Sequence, residues 1–321
     1  MNMNWVKVIL LSFILSNLWS NAVGEDVLII RSSSKDFKEI SSGIDAEINE
    51  DYTVVDYPIN PSTTYREVEK KITKVKPKVL VVLDKSSIQF AKIYTENHPL
   101  TNLPIVAMGL GLKNSLAKYP HFCGVTYEVP GYHIITGFRY ISKKPIKSIL
   151  VFFRKKHVKM LKKVKEQMKL EGIRLIGVHV EKEGATHSNV TNFINNNFIN
   201  ELKKHRTDAV WVLPDEMMLS KETFEKTWIP ASKIGIPFVS GIRKFSSKKL
   251  NFCSYSCAPN NSGISHQMSQ FIFAILEDEE TPKNLGFEEV LEVGQTLNLS
   301  KMNLIRKKVL NNNLKKIEVI R

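Results

Sequence analysis

Two carboxylates that follow apolar runs are the side chains in this sequence best suited to chemistry or to ligand binding. Asp84 follows the run Lys78–Leu83, and Asp215 follows Ala209–Leu213. Such a pair can act as a general acid and base, or it can orient the amine of a bound molecule. Because no activated nucleophile and no metal accompany the pair, ligand orientation is the simpler interpretation. We therefore predict that the chain is not an enzyme.

Other residues near the ends of apolar runs could complete a binding site for a small zwitterion or carboxylate. Arg154 or Arg243 can hold a carboxylate through charge-assisted hydrogen bonds, and serine hydroxyls can bind the remaining polar atoms. The predicted ligand-binding residues are Ser32, Ser33, Asp84, Ser86, Ser87, Gly109, Arg154, Asp215, Met217, Ser240 and Tyr255. For a loop serine such as Ser86 the alternative role is helix capping, and for Tyr255 it is a place in the core.

Sequence motifs of several well-known active sites are absent. Gly109-Leu110-Gly111 is similar to the start of a dinucleotide-binding fingerprint, but Asn114 stands where the third glycine belongs. There is no GxSxG elbow, no HExxH pair and no P-loop. The eight histidines are scattered along the chain. We therefore predict no catalytic residue, no cofactor and no metal site.

The three cysteines leave a structural question open. Cys123 stands alone, whereas Cys253 and Cys257 are close enough in sequence to pair in an oxidising compartment. A straight strand would hold their Cα atoms too far apart for a disulfide, so that pairing requires a turn. No second Cys or His pair lies at zinc-ligand spacing.

The N-terminal residues are typical of an export signal. Within Met1–Gly24, the apolar run Val8–Leu18 precedes the small residues Ala22 and Gly24, which are spaced like a cleavage site. The run is shorter than the roughly 20 residues of a spanning helix, although an uncleaved membrane anchor is the alternative. No later segment is long and apolar enough to span a bilayer. We expect a soluble, periplasmic chain that is cleaved near Gly24.

The chain is basic, with a net charge of +14 that arises from 46 Lys and Arg against 32 Asp and Glu. Much of the excess lies in the stretches Lys155–Lys169 and Arg306–Lys316, both of which we predict to be helical. A solvated basic face accounts for this charge, and the alternatives are an anionic ligand, an anionic membrane surface or a protein partner. Because there is no zinc-finger spacing or aromatic RNA-binding signature, we expect no nucleic-acid partner.

The same order of elements occurs twice: an apolar strand, a polar loop and an amphipathic helix, beginning first at Val27 and again at Ser148. Continuously apolar strands that alternate with helices predict parallel sheets covered on both faces. The predicted strands are Val27–Ile30, Thr53–Asp56, Lys78–Leu83, Pro104–Met108 and Val125–Thr126, then Ser148–Phe153, Ile173–Val180, Ala209–Leu213 and Pro237–Ser240, with a later crossing strand at Asn251–Ser256.

Strand order decides where a ligand would lie. In the common order 2-1-3-4-5, the ligand lies beyond the carboxyl ends of the first and third strands. This rule selects the loops Ser32–Ser34 and Asp84–Ser87 in the first half of the chain. In the second half it selects Arg154 and Asp215. We therefore expect these residues to face a cleft between two similar halves.

Ordered segments along the chain resemble a known protein family. They include "FCGVTYEVPGYHIITGFRYI", "DAVWVLPDEMMLS", "GIPFVSGIRKFSS", "CSYSCAPNNSG" and "LEVGQTLNLSKMNLI". Together they resemble bacterial substrate-binding proteins of ATP-driven importers, which are type I periplasmic binding proteins, some of which bind tryptophan or tyrosine. The resemblance extends from about Val27 to Ile305.

The resemblance implies two Rossmann-like α/β lobes with parallel sheets, joined by three crossovers. After a signal peptide at residues 1–24, it implies a first lobe at 25–125 plus 259–286 and a second at 126–258 plus 287–321. It further implies a monomer that captures a small solute, amino acid-like or a carboxylate, and delivers it to an inner-membrane ABC permease by hinge closure. A solute-sensing module that feeds a membrane receptor or kinase is the alternative with the same fold.

Overall fold

The computed structural model describes residues 26–180 and 186–320, and the predicted signal peptide lies outside them. The chain forms two compact units: unit 1 comprises the chain up to Thr126 together with Ser265–Glu288, and unit 2 comprises Tyr127–Ile264 and the chain from Glu289 onward. The three predicted crossovers are therefore confirmed. The boundaries drawn from the sequence, after residues 125, 258 and 286, fall a few residues before the observed crossings. In the described part, no helix is long and apolar enough to cross a membrane.

Unit 1 is built on a six-stranded sheet. Its first five strands are β1 (Val27–Ser32), β2 (Val54–Ile59), β3 (Val79–Val82), β4 (Ile105–Gly109) and β5 (Phe122–Thr126), and they alternate with α1 (Lys35–Ile48), α2 (Tyr65–Val75), α3 (Lys85–Asn97) and α4 (Leu112–Leu116). The spatial order is β5-β4-β3-β1-β2, with every pair of neighbours parallel. The order therefore reverses between β1 and β3, as the sequence predicted.

Burial and capping explain why these residues form these elements. Every residue of Val79–Val82 is buried, as expected of a central strand with helices on both faces. Helix α2 begins at a reciprocal capping box, in which Thr64 accepts the N–H of Glu67 and the Glu67 carboxylate accepts the N–H of Thr64. Val68 and Ile72 of the same helix face the core.

Unit 2 contains a seven-stranded sheet in the order β13-β12-β10-β9-β8-β6-β7. Its first elements are α5 (Gly131–Ile141), β6 (Ser148–Phe153), α6 (Val158–Leu170), β7 (Arg174–His179), α7 (His187–His205), β8 (Ala209–Val212), α8 (Lys221–Thr223), α9 (Ile229–Ala231), β9 (Phe238–Ser240) and β10 (Tyr255–Pro259). The order of the strands reverses between β6 and β8, which are parallel neighbours. The second half of the chain therefore has the same strand order as the first.

The C-terminal part of the chain completes both units. Its elements are α10 (Asn261–Leu276), α11 (Pro282–Leu285), β11 (Phe287–Glu289), β12 (Val293–Asn298), α12 (Leu299–Leu304) and β13 (Glu318–Ile320). Strand β11 joins the edge of the unit 1 sheet beside β5, and β12 pairs antiparallel with β10 in unit 2. The fold is thus α/β with two mostly parallel sheets, as predicted.

The core of unit 2 is aromatic. The Trp228 ring lies 6.1 Å from that of Phe152 and 6.0 Å from that of Phe198, measured between centroids. Edge contacts of this kind add to the free energy gained by burial. Trp211 is also buried, so both tryptophans lie in the core, as predicted.

Three local predictions differ from the structure. The crossing strand β10 begins four residues later than expected, at Tyr255. The predicted helix at Lys221–Ile234 is helical only as far as Ala231, and a π-helical segment at Phe224–Trp228 separates its two short α-helical ends. The stretch Arg306–Lys316 is not an α-helix. Its backbone instead pairs with the end of α5 and the residues after it. The N–H of Lys143 donates to the carbonyl of Lys308, and the N–H of Leu310 donates to the carbonyl of Ile141. Cys123, Cys253 and Cys257 are free and buried.

Close approach of two strands requires a glycine at position 124. Gly124 lies in β5 with φ at +139°, and a Cβ there would stand 2.0 Å from the carbonyl oxygen of Ala107. We expect Gly124→Ala to lower the free energy of unfolding by about 2 kcal/mol or more, because both the backbone conformation and the space exclude a side chain.

Urea denaturation checks this expectation, with Gly294→Ala as the matched control. The nearest atom to a Cβ at Gly294 is 3.9 Å away, and its φ is ordinary. The control should change stability by no more than about 0.5 kcal/mol. Equal stabilities of the two variants would contradict the close approach.

Candidate functional site

In unit 1, Asp84 joins the carboxyl ends of β1 and β3. Its Oδ2 accepts the backbone N–H of Ser32 at 2.6 Å, and its Oδ1 accepts those of Ser86 at 2.8 Å and Ser87 at 3.0 Å. The hydroxyl of Ser87 accepts the N–H of Asp84 in return, at 3.0 Å, so that α3 begins at a capping box. The Asp84 carboxylate is therefore used by the backbone, which leaves it poorly placed to hold a ligand amine.

The serines at this edge differ in what they present to solvent. Ser87 is fully buried, whereas Ser33 and Ser86 are exposed. The Ser33 hydroxyl donates to the carbonyl of Ile59 at 3.3 Å. Exposed hydroxyls beside the start of α3 can bind polar atoms of a ligand, whereas the Ser87 hydroxyl serves the helix.

Gly109 ends β4 in the same unit. A Cβ at this position would lie 2.8 Å from Cδ1 of Ile88, a residue of α3. The glycine therefore allows α3 to pack closely on the end of β4. Its predicted contact with a ligand stays a prediction.

In unit 2, Asp215 lies beyond β8 and receives hydrogen bonds from three basic side chains. Arg154 Nε donates to the carboxylate at 3.0 Å, Lys156 Nζ lies 3.0 Å from Oδ2, and His157 Nε2 lies 2.9 Å from the same oxygen. The N–H of Met217 also donates to Oδ1, at 2.9 Å. Arg154, Lys156, His157 and Asp215 are called the Asp215 cluster below.

The Asp215 cluster is only partly open to water. The Asp215 side chain is 0% exposed, those of Arg154 and His157 are 13% and 17% exposed, and that of Lys156 is 46% exposed. One buried carboxylate is thus in contact with two permanent cations and one histidine.

The surroundings of Asp215 favour its charged form. Burial acts to raise the pKa of the Asp215 carboxyl, but hydrogen bonds from His157, Lys156, the N–H of Met218 and Arg154 outweigh it. They hold the pKa well below its usual range. Asp215 is thus an anion at neutral pH that pairs with its own neighbours. Its predicted contact with a ligand stays a prediction.

Three further predicted residues lie near or inside unit 2. Met217 is partly buried beside the cluster. Ser240 is fully buried and donates its hydroxyl to the carbonyl of Val212 at 3.2 Å. Tyr255 is also fully buried, and its hydroxyl lies 2.9 Å from Oε1 of Gln295. The structure gives Ser240 and Tyr255 a role in packing, so their contact with a ligand stays a prediction.

Sequence reasoning missed Lys156 and His157. Both were assigned to a solvated helix or to scattered surface positions. The signal was the run Arg154-Lys155-Lys156-His157 immediately after a predicted strand, at the point where the strand order reverses. In the described residues, no group of three His, Cys, Asp or Glu side chains could hold a metal ion.

The Asp215 cluster predicts a pH-dependent stability. Because the pKa of Asp215 is lowered by folding, its contribution is present above the ordinary pKa of 3.8 and is lost as pH falls below that value. We expect Asp215→Asn to lower the free energy of unfolding by roughly 3 kcal/mol at pH 7, because Arg154 and Lys156 lose the anion that compensates them. The difference from the wild type should narrow below pH 3.8.

Urea denaturation at a series of pH values measures this difference. Glu166→Gln is a control because Glu166 is an exposed carboxylate of α6 that lies outside the cluster. A gap between wild type and Asp215→Asn that stays constant from pH 7 down to pH 2 would show that Asp215 carries no linked charge.

The fold of the chain is found in solved structures. No protein-family model and no curated protein matches the chain. The ligand-free, open structure of a substrate-binding protein with adhesive properties from Clostridium difficile matches with a TM-score of 0.67 and 13% identity, over 92% of this chain and 99% of that one. An ABC domain in complex with L-Trp from Streptococcus pneumonia matches with a TM-score of 0.60 and 13% identity, over 92% and 100%.

A transcriptional activator from Bacillus halodurans is also similar, with a TM-score of 0.53 and 10% identity over 84% of this chain and 89% of that one. At such low identities, these likenesses establish architecture alone. The strand order, the three crossovers and the structural matches together show that the chain has the type I periplasmic binding protein fold.

Proposed function

We propose that this chain is an exported solute-binding protein that captures a small carboxylate-bearing solute, such as an amino acid, and delivers it to an inner-membrane ABC permease. The export pattern of Met1–Gly24 and the similarity to a substrate-binding protein and to an L-Trp-bound ABC domain support this proposal. The fold alone does not decide the function, because a transcriptional activator shares it. The chemistry of the site is therefore needed to distinguish the functions.

The main observation in support of a carboxylate-binding function is the geometry of the Asp215 cluster. Three basic side chains converge on one buried carboxylate at the carboxyl ends of β6 and β8, where ligands of α/β sheets bind. The Arg154 guanidinium is oriented by Asp215 through its Nε. A guanidinium is a group that binds carboxylates through charge-assisted hydrogen bonds. An orienting anion behind a cation makes a site that selects acidic groups.

Unit 1 supplies the complementary chemistry. Its exposed serines, Ser33 and Ser86, carry no charge and lie at the equivalent position of the strand order. We propose that these hydroxyls bind uncharged polar atoms of a solute through hydrogen bonds. No covalent step is required.

A ligand screen tests the proposal directly. Thermal unfolding of the protein would be measured with amino acids, short peptides, simple carboxylates and, as neutral controls, the matching amino acid amides. A ligand at 100 times its dissociation constant adds about 2.7 kcal/mol of stability. We expect stabilisation by at least one carboxylate and none by its amide. Stabilisation by no carboxylate, or equally by an acid and its amide, would contradict the proposal.

Arg154→Gln tests the site. We expect the dissociation constant for the carboxylate identified in the screen to rise between about tenfold and a hundredfold, because a charge-assisted hydrogen bond is lost. Isothermal titration calorimetry measures the change. Arg154→Lys should recover only part of the affinity, since an ammonium cannot pair in the bidentate geometry of a guanidinium.

Lys159→Gln is the matched control, because it removes one positive charge from an exposed position of α6. It should leave the dissociation constant unchanged. Unaltered affinity in a folded Arg154→Gln variant would remove the Asp215 cluster from the binding site.

A further inference from the structure

A basic groove lies at the amino ends of β6, β7 and β8, the opposite edge of the unit 2 sheet from the Asp215 cluster. Its volume is about 490 Å³. The residues that line it are Lys144, Pro145, Lys147, Ser148, Arg174, Arg206 and Asp208. A cavity of this volume falls within the range of small-molecule sites, roughly 300 to 1,000 Å³.

The groove is strongly positive. Four cations face a single carboxylate, that of Asp208, which leaves three positive charges. Asp208 Oδ2 already accepts the N–H groups of Lys147 at 3.0 Å and Ser148 at 3.1 Å. Its Oδ1 lies 3.5 Å from Lys144 Nζ. The carboxylate is thus used to hold the loop before β6, and it neutralises at most one of the four cations.

Hydrogen bonds fix the backbone that carries these cations. Arg206 ends α7 in the left-handed conformation, with φ at +48°, and its carbonyl accepts the Ser148 hydroxyl at 3.0 Å. Arg174 donates its N–H to the carbonyl of Lys147 and its Nη2 to that of His205, both at 2.8 Å. The starts of three strands are therefore tied to one another. A rigid backbone reduces the ordering cost when an anion binds.

An adjoining cavity extends the groove. It has a volume of about 80 Å³, shares Lys144 and Asp208 with the first cavity, and is also lined by Lys307 and Lys308. Thr207 also lines this cavity, and its hydroxyl is buried without a hydrogen-bond partner among the residues that the structure describes.

We propose that this groove binds a phosphate-bearing anion. Two arginines and two lysines in a concave site match the charge and the several acceptor oxygens of a phosphate, because guanidinium groups pair with phosphate in bidentate geometry. The phosphate can belong to a free phosphate ester or to a lipid headgroup. The groove lies at the other ends of the strands that carry the Asp215 cluster, so this inference does not depend on the proposed solute.

The first test compares two double variants of equal charge. Lys147→Gln with Arg206→Gln removes two cations from the groove, and Lys159→Gln with Lys162→Gln removes two exposed cations from α6. Binding of inorganic pyrophosphate to the full chain would be measured by calorimetry at low ionic strength. We expect the groove variant to raise the dissociation constant by about tenfold or more and the control to leave it within about twofold.

Two results would overturn the proposal. In the first, the wild type binds no pyrophosphate, and its binding to vesicles is the same as that of the groove variant. The other is an equal loss of affinity in both double variants, because a loss that follows net charge alone assigns nothing to the groove. Affinity for the carboxylate solute should be the same in wild type and groove variant, which separates a failure here from a failure of the proposed function.

The second test distinguishes the two sources of phosphate. Cosedimentation would be measured with vesicles of phosphatidylcholine alone and with added phosphatidylglycerol, for the wild type and both double variants. Binding that requires phosphatidylglycerol, is lost in the groove variant and is competed by pyrophosphate assigns the groove to a lipid headgroup. Pyrophosphate binding without vesicle binding assigns it to a free phosphate ester.

Discussion

A carboxylate that follows the third strand of each sheet holds the loop that follows the first strand. The carboxyl ends of parallel strands carry backbone groups that need partners, and Asp84 and Asp215 stand at equivalent positions to provide them. Asp84 accepts a hydrogen bond from the backbone N–H of Ser32, at the end of β1. Asp215 accepts a hydrogen bond from Nε of Arg154, which follows β6. One topological device therefore shapes both candidate binding edges.

The two carboxylates leave different chemistry behind them. The partners of Asp84 are backbone N–H groups. The exposed polar side chains beside it are the uncharged hydroxyls of Ser33 and Ser86. The partners of Asp215 include the basic side chains of Arg154, Lys156 and His157. Because Asp215 is buried, removing either the carboxylate or a cation leaves charge without compensation in a poorly solvated place.

Apolar runs predicted the strands, and the rule of strand-order reversal predicted that Asp84, Asp215 and Arg154 lie at the carboxyl ends of those strands, where the structure has them. The partners of Asp215 were beyond the same reasoning. After β6 the chain makes a 3₁₀ turn at Lys155–His157 before α6 begins, and this turn brings Lys156 and His157 back to the carboxylate. Hydrophobic periodicity cannot distinguish a 3₁₀ turn from the first turn of an α-helix, because the two differ in hydrogen bonding and not in which residues are apolar.

Positive charge at both ends of β6 raises the question of whether the two anion sites influence each other. The strand contains 6 residues, which at about 3.3 Å per residue separates its ends by roughly 20 Å. The Debye length at physiological ionic strength is about 8 Å. Coulomb coupling between the Asp215 cluster and the basic groove is therefore strongly screened where solvent lies between them. The proposed solute site and the proposed phosphate site are therefore expected to bind independently of each other.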